Sequence, residues 1–207
     1  MNRFDIDAPN WDQPRRLART QNFATEIRHK LGTKPQAGGR GLEYGCGTGA
    51  LGLELRDLFE SLLLVDSSAG MIEQAQKKLD ALDVPQLRAL QGDLTEAPLH
   101  DVEVDTVITT LALHHIGALQ TVLASFRALL RKSGRLLIID MDEDGGIWHK
   151  HQEEFEGHHG FNRAELQQWL VDAGFEVCSV KTIHSMTRMI DGQPHRVPLF
   201  LMEAQAI

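Results

Sequence analysis

One stretch, Arg40 to Asp66, constrains the fold more than any other part of the chain. It reads Arg-Gly-Leu-Glu-Tyr-Gly-Cys-Gly-Thr-Gly-Ala-Leu-Gly-Leu-Glu-Leu, then a helical run, then Ser-Leu-Leu-Leu-Val-Asp. Leu42 and Tyr44 close a short buried strand, and Gly45, Gly47 and Gly49 follow at every second position. From Ala50, Leu51, Leu55, Leu58 and Phe59 fall at helical spacing. Strand, glycine turn and helix in that order set a helix N-terminus beside bare backbone, which a ligand can approach closely. Leu62 to Val65 reads as a second buried strand with Asp66 at its carboxyl end, where an open α/β sheet meets a ribose hydroxyl with a carboxylate. The stretch is a nucleotide-handling βαβ unit.

The nucleotide is less obvious. Gly47-Thr-Gly49-Ala-Leu-Gly52 satisfies the dinucleotide pattern, with Asp66 at about the expected distance. Glu43 speaks against it: an acid on the strand before the glycines points into the crevice, where it suits positive charge or free hydroxyls and repels a pyrophosphate. Glu43-Tyr-Gly45-Cys-Gly47-Thr-Gly49 resembles motif I of the class I S-adenosylmethionine-dependent methyltransferases. That resemblance implies that the glycines pass under the methionine part of the cofactor and that Asp66 binds both ribose hydroxyls. It implies a cofactor set of Glu43, Gly45, Cys46, Gly47, Asp66, Ser67, Met71, Asp93, Leu94, Thr110 and Leu111.

At 207 residues the chain suits one domain with a substantial core. Its net charge of −8 argues against a nucleic-acid partner held through phosphates. Residues 1–40 carry eight Lys/Arg against four Asp/Glu, leaving 13 against 25 for the rest. A modestly basic N-terminal segment on an acidic body is compatible with an acidic small substrate, and solvated helix charges explain it as well. Cys46 and Cys178 are too far apart for a CxxC motif. No apolar run approaches membrane-spanning length, and the N-terminus lacks a signal-peptide pattern, so a cytoplasmic protein is expected.

The remaining chain reads as alternating elements. Residues 4–14 look extended and turn-rich, and Pro14 starts a helix through Leu31. A helical cap at 1–39 is common in small-molecule methyltransferases, where the Trp11-Asp12 element would close over the cofactor; alternatively Trp11 only anchors the segment. Ser67 or Ser68 caps a helix through Met71, Ile72, Ala75 and Leu79. Gln86–Gln91 is a third strand, and Gly92-Asp93-Leu94 after it resembles the family element that accepts from the adenine amino group; a plain turn explains Gly-Asp as well. Val104–Thr110 is the fourth strand, 118–130 a helix closed by the 131–134 turn, and 135–140 a fifth strand. Asn162 and Glu165 form a capping-box pattern before another helix. A strand over 175–183, a polar loop over 184–195 and a last strand over 196–206 follow.

Two regions carry further chemistry. His114 and His115 follow the fourth strand, where an imidazole near the sulfonium could take a proton from an attacking hydroxyl or thiol; they equally suit a loop-shaping role. The Asn/Asp-Pro-Pro-Tyr/Phe sequence that nucleic-acid and amide methyltransferases carry here is missing. Asp140-Met-Asp142-Glu-Asp144-Gly145 begins like a calcium loop, but position twelve is His151 and a strand precedes it. The segment 142–160, with Trp148, His149, His151, Glu153, Glu154, Phe155, His158 and His159, reads as a variable substrate lid; no fixed spacing supports zinc, and no metal is expected.

The expected architecture is one domain: cap 1–39, cofactor core 40–141, lid 142–160 and a C-terminal helix and hairpin at 161–207. The expected fold is a Rossmann-like, seven-stranded, mostly parallel α/β sheet with helices on both faces and one reversed C-terminal strand. The expected function is methyl transfer from S-adenosyl-L-methionine to a small-molecule acceptor. A nicotinamide-dependent oxidoreductase and a non-catalytic S-adenosylmethionine-binding regulatory protein remain as alternatives.

Overall fold

The computed structural model describes residues 3–152 and 155–207. Strands β1 (Gly39–Tyr44), β2 (Phe59–Asp66), β3 (Leu87–Gln91), β4 (Val104–Thr110) and β5 (Leu130–Met141) are joined by helices except between β3 and β4, where residues 92–103 make the connection without one, and β6 (Phe175–Ile190) and β7 (Gln193–Ala206) close the chain. They form one sheet in the order β3-β2-β1-β4-β5-β7-β6. Pairing is parallel from β3 to β5, and β7 runs antiparallel to both β5 and β6. β7 is therefore the single reversed strand. Because chain order reverses direction across the sheet at β1 and β4, a crevice opens beyond their carboxyl ends.

Side-chain alternation along each strand sends residues to two cores. Leu42, Tyr44 and Val107 join Phe126 of α5 (Leu119–Leu129), Leu166 and Leu170 of α6 (Arg163–Asp172), and Phe175 and Phe200. On the other face, Leu62, Leu64, Ile108, Leu137 and Ile139 pack against Phe23 and Ile27 of α2 (Pro14–Leu31) and Leu51 and Leu55 of α3 (Ala50–Leu55). Ser68 caps α4 (Ala69–Leu82), its Oγ accepting from Met71 N at 3.1 Å. Asn162 caps α6, accepting from Ala164 N at 3.0 Å and Glu165 N at 3.4 Å.

The structure corrects four local expectations. The opening is helical: α1 (Arg3–Asp7) leads into a 3₁₀ turn at Ala8–Asn10. Tertiary contacts decide this, for Asp5 accepts from Ser68 Oγ at 2.6 Å and Gly70 N at 3.0 Å. Phe59 begins β2 rather than ending a helix. Residues 131–134, expected as a helix-closing turn, form an irregularity inside β5: pairing with β4 jumps from Leu130 to Arg135, and Ser133 has φ 62°. The expected polar loop at 184–195 is a hairpin in which Ile190 pairs with Gln193 across Asp191-Gly192. Both turn residues have positive φ, 50° and 75°, the requirement that makes Asp-Gly a favoured two-residue hairpin turn. Met186, Ile190 and Val197 are buried on one side of this extension.

Candidate functional site

A cavity of about 550 Å³ occupies the crevice at the ends of β1, β2 and β4. Its floor is the turn after β1. Gly45 has φ 69°, and a Cβ there would stand 2.3 Å from Ala112 Cβ, so the turn admits no side chain at that position. Gly47, with φ 55°, differs: an added Cβ would meet only Trp11 Nε1 at 3.5 Å and Met71 Sδ at 3.9 Å. Gly47 thus lines the cavity beneath the Trp11 indole. Leu111, just past β4, has φ 52°, an uncommon conformation for a non-glycine residue and one found preferentially at functional sites.

Three carboxylates face the cavity along this floor. Glu43 is buried, its Oε2 has no partner, and desolvation pushes its pKa to about 8 against one stabilising bond from Gly52. Asp66 Oδ2 accepts from Gly47 N at 2.8 Å and Oδ1 from Ser68 N at 2.9 Å. Burial raises its pKa and these bonds oppose the rise. Asp93 Oδ1 accepts from Thr95 N at 2.8 Å and Thr95 Oγ1 at 2.7 Å. Asp93 thus orders a turn and also lines the cavity. Leu94 does not line it: the side chain lies in the core, and its N–H donates to the Tyr44 hydroxyl at 3.2 Å.

The N-terminal segment roofs the site. Phe4 and Trp11 line it with ring centroids 5.8 Å apart, and Phe4 meets the His115 ring at 5.1 Å. Asp12 accepts from Thr48 Oγ1 at 2.6 Å and pairs with Lys78, tying the roof to the glycine turn and to α4. Arg16, Arg19, Thr20 and Phe23 of α2 bring one helix face to the cavity wall. The Arg16 guanidinium stacks 4.0 Å above Trp11.

His114 and His115 separate in role. His115 lines the cavity, while His114 is buried behind it, with Nδ1 2.6 Å from Asp140 Oδ1. Burial first, then the neighbouring imidazoles His114 and His149, hold the His115 pKa down to about 2. His149 packs flat on Phe155 at 4.0 Å, and burial lowers its pKa to about 4. The calcium-like carboxylates diverge: Asp140 serves His114, Asp142 pairs with Arg163, and Asp144 pairs with His195 at 2.9 Å. Among the described residues no group of three or more His, Cys, Asp or Glu could hold a metal.

Of the residues anticipated for the cofactor, Glu43, Gly45, Cys46, Gly47, Asp66, Ser67, Met71, Asp93, Thr110 and Leu111 converge on this one cavity, and Leu94 stands behind it. From the 142–160 segment, Glu156 lines the cavity. Glu153 and Glu154 lie outside the described residues. Sequence reasoning missed Phe4, Arg16, Arg19 and Asp140. The two arginines look like solvated helix charges in the sequence, and only the docking of α2 on the sheet turns them inward.

An open α/β sheet with a glycine turn and carboxylates at the ends of its first two strands defines a Rossmann-like cofactor-binding domain. Comparison with known proteins agrees. Residues 35–190 match a family model described as a methyltransferase domain, and the chain belongs to that family; S-adenosylmethionine is the cofactor that membership implies. An uncharacterised methyltransferase of Schizosaccharomyces pombe is 28% identical over 167 residues, 74% of this chain and 58% of that protein. The malonyl-[acyl-carrier protein] O-methyltransferase of Yersinia pestis is 31% identical over 112 residues, 52% of this chain and 40% of that one. The chain spans about half the length of the curated relatives it matches. Among solved structures, an S-adenosylmethionine-dependent methyltransferase of Aquifex aeolicus superposes with TM-score 0.73 at 19% identity, covering 98% of both chains. A Haloferax volcanii methyltransferase in complex with the Trm112 methyltransferase activator gives 0.79 at 18%, covering 100% of this chain and 98% of that one. Among the described residues no helix is long and apolar enough to cross a membrane.

Proposed function

We propose that this chain transfers the methyl group of S-adenosylmethionine to a small-molecule acceptor. The observation that carries the reading is the cavity itself: about 550 Å³, roofed by Phe4 and Trp11, with buried Glu43 among its lining residues. That volume lies within the range of roughly 300–1,000 Å³ for small-ligand sites. The residues fit the cofactor. Gly47 would lie under the methionine part, Asp66 would accept from the ribose hydroxyls, and Asp93 would accept from the adenine amino group. Glu43 supplies a buried acceptor for a cationic ligand; a pyrophosphate would meet three acids instead, which disfavours the nicotinamide alternative.

The bound cofactor supplies a sulfonium methyl already activated for in-line displacement. The chain's own contribution is therefore to orient the acceptor and exclude water. Thr110 and Leu111 bring the end of β4 to the cavity, and the strained Leu111 backbone is held by its N–H donating to Ile139 O at 2.8 Å. With so low a pKa, His115 is a weak proton acceptor at neutral pH, since transfer efficiency follows basicity. It serves instead as a neutral hydrogen-bonding contact for the acceptor, and Asp140 fixes His114 behind it as a positioning residue.

The test has two stages. S-adenosylhomocysteine should raise the melting temperature while NAD and NADP leave it unchanged. Incubation with methyl-labelled S-adenosylmethionine and a fractionated metabolite extract should then label a low-mass product. Label appearing only in protein or nucleic-acid fractions would overturn the small-molecule acceptor. Binding with no transfer would make the chain the non-catalytic alternative.

A further inference from the structure

Charges of both signs line the cavity. Glu43, Asp66 and Asp93 line the side formed by β1, β2 and the turn after β3, Asp12 in the roof is tied to Thr48 and Lys78, Glu156 adds a fifth acid, and the cations Arg16 and Arg19 enter from α2. The two arginines are not equivalent. Arg16 is stacked 4.0 Å above Trp11, donates to the Trp11 carbonyl at 3.0 Å, and Trp11 in turn stands over Gly47. Arg16 thus belongs to the glycine-turn end, among the residues that would hold the methionine part of the cofactor. Arg19 lies one helical turn further along the same face, about 4.5 Å at the usual rise per residue.

Arg19 is half-buried, yet it has no anionic partner among the described residues. Its Nε is buried without a hydrogen bond. Its Nη1 meets only the Met186 sulfur, at 3.0 Å, and the guanidinium carbon sits 5.9 Å from the Phe23 ring centre. Burial and the nearby Arg16 and Arg15 lower its pKa to about 10, so it remains a cation at neutral pH while losing solvation. Guanidinium groups left in such a state are costly unless something pairs with them, and a planar carboxylate matches their fork of donors. The surrounding wall is apolar: Phe23 and Leu51 line the same cavity.

We infer that Arg19 is the specificity residue for the acceptor, and that the acceptor is an apolar small molecule bearing a carboxylate. This rests on the methyltransferase reading above. On that basis Arg19 contacts the acceptor's carboxylate across the cavity from the acids that hold the cofactor. The unpaired cation is the feature that selects an anion over its neutral isostere, because a neutral molecule leaves it unpaired.

The experiment is an NMR titration of the protein saturated with S-adenosylhomocysteine, using hexanoate and its neutral isostere hexanamide as probes. Hexanoate should bind at least about tenfold more tightly than hexanamide, the ratio for roughly 1.4 kcal/mol of discrimination. Arg19→Met should abolish that preference, and Arg19→Lys should retain part of it. The apo melting temperature of Arg19→Met should equal or exceed that of the parent, since a buried unpaired charge has been removed; a residue acting only in structure would lower it. Equal binding of both probes to the parent overturns the inference, as does an undiminished preference in Arg19→Met. If Arg19→Met weakens S-adenosylhomocysteine but not 5′-methylthioadenosine, which lacks the carboxylate, Arg19 holds the cofactor and the inference fails. Absence of S-adenosylhomocysteine binding to the parent overturns the methyltransferase reading instead, and this inference with it.

Discussion

Replacing Glu43 with glutamine tests the electrostatics of the site through folding stability alone. The carboxyl is buried and its pKa is pushed from 4.5 to about 8, chiefly by desolvation. A raised pKa in the folded state means that folding takes up a proton between those values. Stability is therefore full below about pH 4.5, falls as pH rises toward 8, and is flat beyond. A tenfold change in proton affinity corresponds to about 1.4 kcal/mol, so a rise from 4.5 to about 8 costs on the order of 5 kcal/mol at high pH. The amide side chain keeps an acceptor for the Gly52 N–H and has no charge to desolvate. Glu43→Gln should match the parent near about pH 5 and exceed it by several kcal/mol near about pH 9, read from denaturant midpoints at equal m-value. The histidines with shifted pKa titrate in both proteins and cancel in the difference, whereas the Asp66 charge, which helps raise the Glu43 pKa, is part of what the substitution reads. A cationic ligand should draw Glu43 back into its ionised form, so S-adenosylmethionine binding at about pH 7 should release a proton, seen calorimetrically in buffers of different ionisation enthalpy. A stability difference that is the same at both ends of that pH range would refute the assignment of an uncompensated buried carboxyl at Glu43.

Further outcomes follow from individual contacts. Asp66→Ala should weaken S-adenosylhomocysteine by about 1–3 kcal/mol, because Gly47 N and Ser68 N lose a charged acceptor as well as the ribose losing its own; unchanged affinity by calorimetry removes Asp66 from the site. Gly45→Ala should destabilise by about 1–3 kcal/mol or more through overpacking against Ala112, visible as a lowered melting temperature without ligand. Asp140→Ala should cost about 3–5 kcal/mol by stranding His114 in the core, measured by denaturant unfolding; a loss under about 1 kcal/mol would show that the pair is not structural. Residues 4–20 should become protected from hydrogen exchange when S-adenosylhomocysteine is added, since Phe4 and Trp11 roof the cavity; equal exchange in both states would show that the roof does not respond to the cofactor.

How much of this was legible in the sequence depended on whether the signal was local. The βαβ unit could be read because its determinants are contiguous: Gly45, Gly47 and Gly49 make the turn, Leu42 and Tyr44 share one core, and Glu43 between them must face the other side. β2 and β5 carry continuous apolar runs, residues 62–65 and 136–139, because both faces of the parallel sheet are covered there. The opening helix could not be read, since Asp5 is ordered by Ser68 and Gly70, more than 60 positions away. The long hairpin should have been read. Asp191-Gly192 is a strong turn pair, but its flanks, Met186-Thr-Arg188-Met189 and Pro194-His-Arg196, look polar because the extension packs on one side only. That side receives contacts from the 142–152 segment, where His151 reaches Asp191 at 2.8 Å and His195 reaches Asp144 at 2.9 Å.

The chemistry of the site divided along the same line. The acids that line the cavity floor sit at strand ends, and a strand end in a parallel sheet has a fixed address: Glu43, Asp66 and Asp93 reach the crevice because β1, β2 and β3 all terminate there. The cations sit on a helix that precedes the sheet, and its orientation depends on docking rather than on sequence position. Phe23 and Ile27 supply the apolar stripe that docks α2. Once they are buried, Arg19 and Arg16, four and seven residues before Phe23, must lie on nearly the same face, because a helix repeats every 3.6 residues or about two turns in seven. The residues that stabilise the cap therefore dictate where its arginines point. Stability and specificity are coupled through one helix face: a substitution at Phe23 that loosens α2 would displace Arg16 and Arg19 together, whereas substitution of Arg19 alone leaves the docking stripe intact.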